Sequence, residues 1–124
     1  MRILFVCVGN TCRSQMAEGF ARSQGLDAYS AGTSTYSKEV ASLAIEVMHE
    51  LGIDITNQSP THLDEFENEF FDLVISMGCG VVCPSHKKID MDWGLEDPYG
   101  QSIEKYRETR DDIQRRLIEL IGSQ

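Results

Sequence analysis

The sequence has few basic residues: 11 lysines and arginines stand against 20 aspartates and glutamates in 124 residues, and the net charge is −9. This balance argues against a nucleic-acid or anionic-membrane partner, because an acidic protein is repelled by both. The apolar run at residues 3–8 is too short to cross a membrane, and it lacks the small-residue cleavage site of a signal peptide. We therefore expect a cytoplasmic protein.

The chain also lacks repeats, low-complexity segments and an evident linker, and its 41% hydrophobic and 25% charged residues are typical of a globular protein. Apolar runs and helical patterns alternate along it, which predicts one α/β domain with a mostly parallel sheet. The expected strands are Arg2–Cys7, Asp27–Ala31, Phe71–Met77 and Lys87–Asp90. The expected helices are Arg13–Gln24, a helix capped by Ser37 that buries Leu51 and ends at Gly52, a single turn from Pro60 to Phe66, and Ser102–Ile121.

The most informative stretch joins the first strand to the first helix. Cys7 ends the strand, Arg13 and Ser14 begin the helix, and five residues lie between them: Val8, Gly9, Asn10, Thr11 and Cys12. A loop of this length can curl its backbone N–H groups around one tetrahedral oxyanion, and a helix N-terminus attracts anions. The same field keeps a cysteine sulfur as the nucleophilic thiolate, to which the Ser14 hydroxyl can donate. The guanidinium of Arg13 can hold two oxygens of a phosphate-like anion.

A simpler interpretation treats Cys7 as a small buried residue at the end of a strand, followed by a turn. It does not explain why Gly9, Asn10, Arg13 and Ser14 occur together, so we favour the anion-binding thiolate. The role of Cys12 is open between a protective bridge to Cys7 and a side chain that fills space, and we favour the second.

Two later cysteines follow another predicted strand. Cys79 lies just beyond Met77, at the sheet edge where Cys7 is expected, so both thiols are candidates for one cleft. In a helical or tightly turned segment, the Cα atoms of Cys79 and Cys83 would be about 6 Å apart, within reach of a disulfide. Thiols of this kind in a cytosolic protein favour catalysis over a structural bond.

Two other interpretations of the late cysteines stay open. Cys79, Cys83 and His86 could bind zinc, with Cys12 as a further ligand, although the spacing is not a common one for zinc. Alternatively, both cysteines are small buried hydrophobic residues. A zinc-binding or redox-sensing module without catalysis would use the thiols but not Asp97.

The triplet Asp97-Pro98-Tyr99 is the last candidate for chemistry. Pro98 keeps Asp97 out of a helix, and a carboxyl group over an anion site can protonate a leaving oxygen as a general acid. Tyr99 could form an aromatic wall beside it. Taken alone, Asp-Pro most often opens a turn, so this hypothesis depends on the Cys7 loop.

Together these residues resemble the low-molecular-weight protein tyrosine phosphatase superfamily, through Cys-x5-Arg-Ser near the start and Asp-Pro-Tyr much later. The stretch from Cys7 to Phe20, the segment Ser30-Ala31-Gly32-Thr33 and the pair Cys79 and Cys83-Pro84 are similar to thioredoxin-coupled arsenate reductases. Phosphatases usually have proline at the position of Gln15. The resemblance implies a single domain over residues 1–124, a three-layer sandwich with a central, mostly parallel four-stranded sheet.

The resemblance also implies a reaction, in which arsenate binds the loop amides and Arg13 and is attacked by Cys7. Asp97 would protonate the departing oxygen, Cys79 would attack Cys7, and Cys83 would attack Cys79. Thioredoxin would then reduce the Cys79–Cys83 disulfide. No cofactor is part of this prediction. The alternative is a phosphatase that hydrolyses aryl phosphates through phosphocysteine, which shares Cys7, Arg13 and Asp97 but has no use for the later cysteines.

Two departures from the reductase pattern are visible. The three residues between Cys79 and Cys83 are fewer than bacterial members usually have, and Asp97-Pro98-Tyr99 is closer to the phosphatases.

Some reductase relatives hold a potassium ion at positions that look like Asn10, Glu18 and Ser30. A further acidic ligand is expected near residues 61–62, where the first carboxylate in this chain is Asp64. We therefore predict no bound metal.

Overall fold

The computed structural model of the protein describes residues 1–34, 38–78 and 88–122. Its elements in chain order are β1 Arg2–Cys7, α1 Arg13–Ser23, β2 Asp27–Gly32, α2 Ser42–His49, a 3₁₀ helix Leu63–Phe66, β3 Leu73–Ser76, β4 Met91–Asp92 and α3 Ile103–Gly122. None of the helices in these ranges combines the length and the apolar character that crossing a membrane requires.

The described strands form one sheet with the order β2-β1-β3-β4, and every neighbouring pair is parallel. Cys7 is paired with Gly32 of β2, and Val6 is paired with Ser76 of β3. The predicted α/β fold is thus confirmed, with a sheet that is parallel throughout these strands. Because parallel strands end at the same edge, Cys7 opens onto the edge where α/β proteins bind ligands.

The two faces of β1 are buried against different layers. Ile3, Phe5 and Cys7 belong to the larger core, which also contains residues of α1, α2 and α3. Leu4 and Val6 face the other side, where the 3₁₀ helix and an edge-to-face cluster of Tyr29, Phe66 and Phe71 cover the sheet. A central strand buried on both faces explains the continuous apolar run in the sequence.

The second helix is shorter than predicted and begins later. Ser37 lies outside the described residues, and α2 starts at Ser42 with Ala41 as its N-cap. The Ala41 N–H donates to the carbonyl of Thr11 at 2.9 Å, so this segment is held against the first loop before the helix begins. At the other end, α2 stops at His49, and Leu51 is 42% exposed instead of buried.

The predicted strand Lys87–Asp90 is also displaced. Lys87 lies outside the described residues, and the strand is formed by Met91–Asp92, which pairs only with Ile75 and Ser76 of β3. Asp90 precedes the strand and exchanges two hydrogen bonds with Val74, through its own N–H and its carboxylate. The boundary was wrong because the position of this strand is set by β3, not by its own apolar residues.

Gly78 brings two segments into close contact at the edge of the sheet. It has a φ of +120°, and an added Cβ would lie 2.8 Å from the backbone nitrogen of Leu95. The same approach lets the Leu95 N–H donate to the carbonyl of Met77 at 2.7 Å. A side chain at this position would therefore both strain the backbone and separate the two segments.

We expect Gly78→Ala to lower the free energy of unfolding by about 3 kcal/mol or more, because it combines a forbidden φ with a contact to backbone atoms. Gly25→Ala is the matched control, since Gly25 also has a positive φ of 81° but an added Cβ would meet nothing within 4 Å. The control should cost only about 1 kcal/mol. Urea denaturation measures both values, and equal losses would contradict the role of the close contact.

Candidate active site

The Cys7 sulfur lies at the carboxyl end of β1 and is nearly enclosed, with 2% of the residue exposed. The backbone N–H of Asn10 donates to it at 3.0 Å, and the Ser14 hydroxyl oxygen lies 2.8 Å away. A donor from three residues further along the chain reaches the sulfur only if the loop curls around it. The sulfur is thus set among hydrogen-bond donors.

The curled loop is itself buried. Of residues 8–12 only Val8 is partly exposed, while Asn10 is fully buried and has a φ of +55°. This left-handed conformation is uncommon outside glycine but is tolerated by asparagine. The tight turn therefore depends on the residue type at position 10.

Three hydrogen bonds fix the outer side of the loop. The N–H groups of Thr33 and Ser34 donate to the carbonyls of Cys7 and Val8 at 3.1 and 2.9 Å, and Ala41 donates to the carbonyl of Thr11. Because these carbonyls are bound from outside, the loop is held by the segment that follows β2. The loop is consequently a rigid part of the fold and not a free connection.

Arg13 is the first residue of α1, and its side chain is only 4% exposed. One terminal nitrogen, Nη1, donates to the carbonyls of Leu95 and Met77 at 2.8 and 3.3 Å. The other, Nη2, lies 3.7 Å from the Asp97 carboxylate. Two main-chain oxygens therefore fix the orientation of the guanidinium through Nη1, and its positive charge lies beside the loop.

The structure brings Asp97 to the site, as the sequence predicted. Its Oδ2 faces Arg13, and its Oδ1 accepts the N–H of Tyr99 at 3.0 Å. The side chain is 48% exposed, so it stands at the entrance, whereas Arg13 lies inside. Tyr99 is 51% exposed on the same turn.

Cys12 occupies a different environment from Cys7, although both are buried free thiols. Its sulfur lies 3.4 Å from the Tyr106 hydroxyl and 3.6 Å from the Thr11 hydroxyl, within the main core. Burial raises the pKa of the Cys12 thiol, and it also raises the pKa of Tyr106. These contacts agree with the expectation that Cys12 fills space.

Gln15 and Gln58 join the site through Asn10, and sequence reasoning assigned neither of them a role in the site. The Gln15 Nε2 donates to both oxygens of Asn10, at 3.0 and 3.1 Å, and Gln58 donates to Gln15. Helical spacing could place Gln15 near Asn10, but nothing in the sequence connects Gln58 to them.

The residues that resemble a potassium site are already hydrogen-bonded to one another or to neighbouring groups. Ser30 donates to Glu18 at 2.6 Å, and Glu18 also pairs with Arg22 at 3.0 Å. The Asn10 side-chain oxygen accepts the N–H of Thr61 at 2.8 Å in addition to the Gln15 amide. An oxygen that already accepts two N–H groups has no lone pair left for a cation. The arrangement therefore does not fit an ion held by Asn10.

A cavity of about 580 Å³ opens beside α1 and not over the Cys7 sulfur; Glu18, Arg22, Ser30 and Gln58 are among its lining residues. Burial raises the pKa of Glu18, although the Ser30 hydroxyl and the Arg22 charge oppose this shift. The predicted relay residues Cys79 and Cys83, and with them His86 of the zinc alternative, lie outside the described residues.

Comparisons with known proteins agree on one family. Residues 2–124 match the low molecular weight phosphotyrosine protein phosphatases. A glutaredoxin arsenate reductase from Synechocystis sp. is 42% identical over 126 residues, which cover 98% of this chain and 96% of that protein. A solved arsenate reductase in a phosphate-binding state matches with a TM-score of 0.88, 42% identity and coverage of 98% and 97% of the two chains. A low molecular weight protein tyrosine phosphatase from T. tengcongensis matches with a TM-score of 0.82, 33% identity and coverage of 100% and 99%.

We expect Cys7 to react with iodoacetamide at least about tenfold faster than Cys12 at neutral pH, because donors surround the first sulfur and burial keeps the second protonated. Peptide mass spectrometry with fragmentation distinguishes the two sites. Urea-unfolded protein is the control, in which both thiols should react at similar rates. Equal rates in the folded protein would contradict the different environments of the two sulfurs.

Proposed function

The chain belongs to the low molecular weight phosphotyrosine protein phosphatase family, and we propose that within this family it reduces arsenate to arsenite with Cys7 as the nucleophile. The observation that supports this most is the Cys7 sulfur between the Asn10 N–H and the Ser14 hydroxyl, at the start of a helix. The 42% identity to a protein named as an arsenate reductase supports the choice of substrate.

Substrate binding in this proposal uses the loop and Arg13. Arsenate is a tetrahedral anion, and the N–H groups of Val8, Gly9, Asn10, Thr11 and Cys12 would surround its oxygens. Backbone donors at a helix start suit such an anion without any bulk positive charge. Arg13 would add a planar pair of donors, already oriented by the carbonyls of Leu95 and Met77.

The first chemical step is an attack of the Cys7 thiolate on arsenic. A sulfur–arsenic bond forms, the bond from arsenic to one hydroxyl group breaks, and the departing hydroxyl takes one proton and leaves as water. Asp97 is the proposed source of this proton, because its carboxylate stands beside Arg13 at the entrance. Before the attack, the Ser14 hydroxyl donates a hydrogen bond to the negatively charged Cys7 sulfur. The sulfur loses this charge when it binds arsenic.

The second step transfers two electrons. The thiolate of Cys79 attacks the Cys7 sulfur, a disulfide forms, and the sulfur–arsenic bond breaks with its electron pair remaining on arsenic, which leaves as arsenite. Cys83 then attacks Cys79, which frees Cys7 and produces a Cys79–Cys83 disulfide. The cysteine thiolates themselves supply the two electrons, so no cofactor takes part, and a reducing compartment such as the cytoplasm fits this chemistry.

An external dithiol must return these two electrons. We propose a thioredoxin-class protein, because an intramolecular disulfide is a substrate for dithiol exchange. The Synechocystis relative, at 42% identity, is named a glutaredoxin arsenate reductase, so glutaredoxin is the second donor to compare.

Hydrolysis of aryl phosphates is the alternative function. It is favoured by the Asp97 carboxylate 3.7 Å from Arg13 and by the T. tengcongensis phosphatase, which is 33% identical. A phosphatase needs a general acid for its leaving group and water as the second nucleophile, but it needs no further thiols. The two functions therefore differ in what attacks the Cys7 adduct.

Substitution of the late cysteines separates the two functions. We expect Cys79→Ser and Cys83→Ser to lose multiple-turnover arsenate reduction by at least about 100-fold, since a hydroxyl cannot continue a disulfide exchange. Any hydrolysis of para-nitrophenyl phosphate should persist in both variants. NADPH consumption coupled to thioredoxin or to glutaredoxin, in parallel reactions, measures turnover and identifies the donor.

The control for this experiment is Cys12→Ser, which should keep most of its arsenate turnover because the substitution retains the backbone N–H at position 12 and the Cys12 thiol is not a member of the relay. Full turnover in both late-cysteine variants would contradict the relay. Efficient hydrolysis together with no arsenate turnover in the unmodified protein would favour the phosphatase.

Substitution of the general acid gives a second prediction. We expect Asp97→Asn to reduce aryl-phosphate hydrolysis by about 100-fold, because general acid catalysis contributes about two to four orders of magnitude. Asp92→Asn is a matched control, since Asp92 is exposed and also accepts the backbone N–H two residues ahead. Equal rates in the two variants, from steady-state kinetics at several pH values, would exclude the proposed role of Asp97.

A further inference from the structure

We propose that Gln15 and Gln58 are positioning residues whose amide groups orient Asn10, so that the single hydroxyl hydrogen of Ser14 points to the Cys7 sulfur. This inference rests on the proposed function in one respect, namely that Cys7 acts as a thiolate. The inference adds two residues that do not touch the sulfur and that lie 43 positions apart in the sequence.

A main-chain donor shows which end of the Asn10 amide is the oxygen. The N–H of Thr61 lies 2.8 Å from one end of this amide, which must be the oxygen because an N–H only donates. The other end is therefore the nitrogen, and it lies 2.6 Å from the Ser14 hydroxyl oxygen. The hydroxyl accepts this bond, so its own hydrogen is available for the Cys7 sulfur at 2.8 Å.

The orientation of Gln15 follows from a main-chain acceptor. The carbonyl of Asn10 can only accept, so the end of Gln15 that lies 3.0 Å from it must be the nitrogen. The same nitrogen reaches the Asn10 side-chain oxygen at 3.1 Å. Gln15 is fully buried, and its amide thus binds both the backbone and the side chain of the residue with the left-handed conformation.

Gln58 completes the arrangement in the same way. Its nitrogen lies 3.0 Å from the Gln15 carbonyl, which fixes the amide orientation, and 2.8 Å from the Gln15 side-chain oxygen. The hydrogen bonds thus run in one direction, from Gln58 to Gln15, then to Asn10, Ser14 and finally the sulfur. Each assignment of amide oxygen and nitrogen follows from a main-chain atom, so the direction of the chain does not depend on an arbitrary choice between the two.

A chain of hydrogen bonds that runs in one direction stabilises negative charge on the Cys7 sulfur. Every donor becomes stronger when it also accepts a bond, so the Ser14 hydroxyl donates better because Asn10 donates to it. A thiolate accepts such a bond and a thiol sulfur much less so.

The outer residue, Gln58, lines the open cavity of about 580 Å³ and is half-buried. Its substitution therefore disturbs the core less than that of Gln15.

The experiment measures the pH at which the alkylation rate of Cys7 is half its maximum, by iodoacetamide and peptide mass spectrometry, without arsenate or a reductant. Methionine matches glutamine in length but lacks the amide, so the variants are Gln15→Met and Gln58→Met. We expect the midpoint to rise by about one unit in the first and about half a unit in the second, that is, about tenfold and threefold less thiolate at low pH.

Gln114→Met on α3 is the matched control and should leave the midpoint unchanged, whereas Ser14→Ala should shift it at least as far as Gln15→Met. Unchanged midpoints in both glutamine variants, with a shift in Ser14→Ala, would overturn the proposal. Should Gln15→Met fail to fold by circular dichroism, Gln58→Met alone decides. Shifted midpoints in a protein that does not reduce arsenate would support the positioning role and overturn the proposed function instead.

Discussion

The enclosure of one sulfur by a tight loop is the constraint on which the rest of this molecule depends. A central strand must end at Cys7, and a helix must begin at Arg13, with only five residues between them. The N–H of Asn10 reaches the sulfur because position 10 takes a left-handed conformation, which is costly for most side chains. The surrounding hydrogen bonds from Thr33, Ser34 and Ala41 hold the carbonyls of the loop outward. The proposed anion site therefore depends on backbone geometry more than on charged side chains.

The opposite wall of the site depends on a second backbone constraint. Gly78 allows the segment after β3 to approach Leu95 closely, and the carbonyl of Leu95 then orients Arg13. The negative net charge of the chain does not prevent such a site, because the positive charge of Arg13 is buried and local. Asp97 stands between this charge and solvent, where it can exchange protons. In the proposed function, the buried cation therefore serves binding and the exposed carboxylate serves proton transfer.

The local parts of this arrangement were predictable from the sequence. The apolar run of β1, the helical spacing of α1 and the Cys7–Ser14 loop are each written in adjacent residues, and the structure places Ser14 2.8 Å from the sulfur. The start of α2 was not predictable, because a hydrogen bond from Ala41 to Thr11 delays the helix. The contact between Gln15 and Gln58 was missed for the same reason. Contacts between residues far apart in the chain determine both features, and no periodic pattern in the sequence indicates such contacts.

The loop geometry serves hydrolysis and reduction equally well, because both begin with a thiolate attacking a tetrahedral anion. A chain of hydrogen bonds that stabilises the Cys7 thiolate, as we propose, also makes Cys7 a better leaving group. In hydrolysis this helps water displace Cys7 from phosphorus. In the proposed reduction arsenite leaves when Cys79 attacks the Cys7 sulfur, so the benefit comes one step later, when Cys83 attacks Cys79 and Cys7 leaves the disulfide. The choice between the two reactions therefore depends on which nucleophile reaches the Cys7 adduct first. In the proposed function, Cys79 therefore decides the reaction as the second nucleophile, while the Cys7 loop decides which anion is bound.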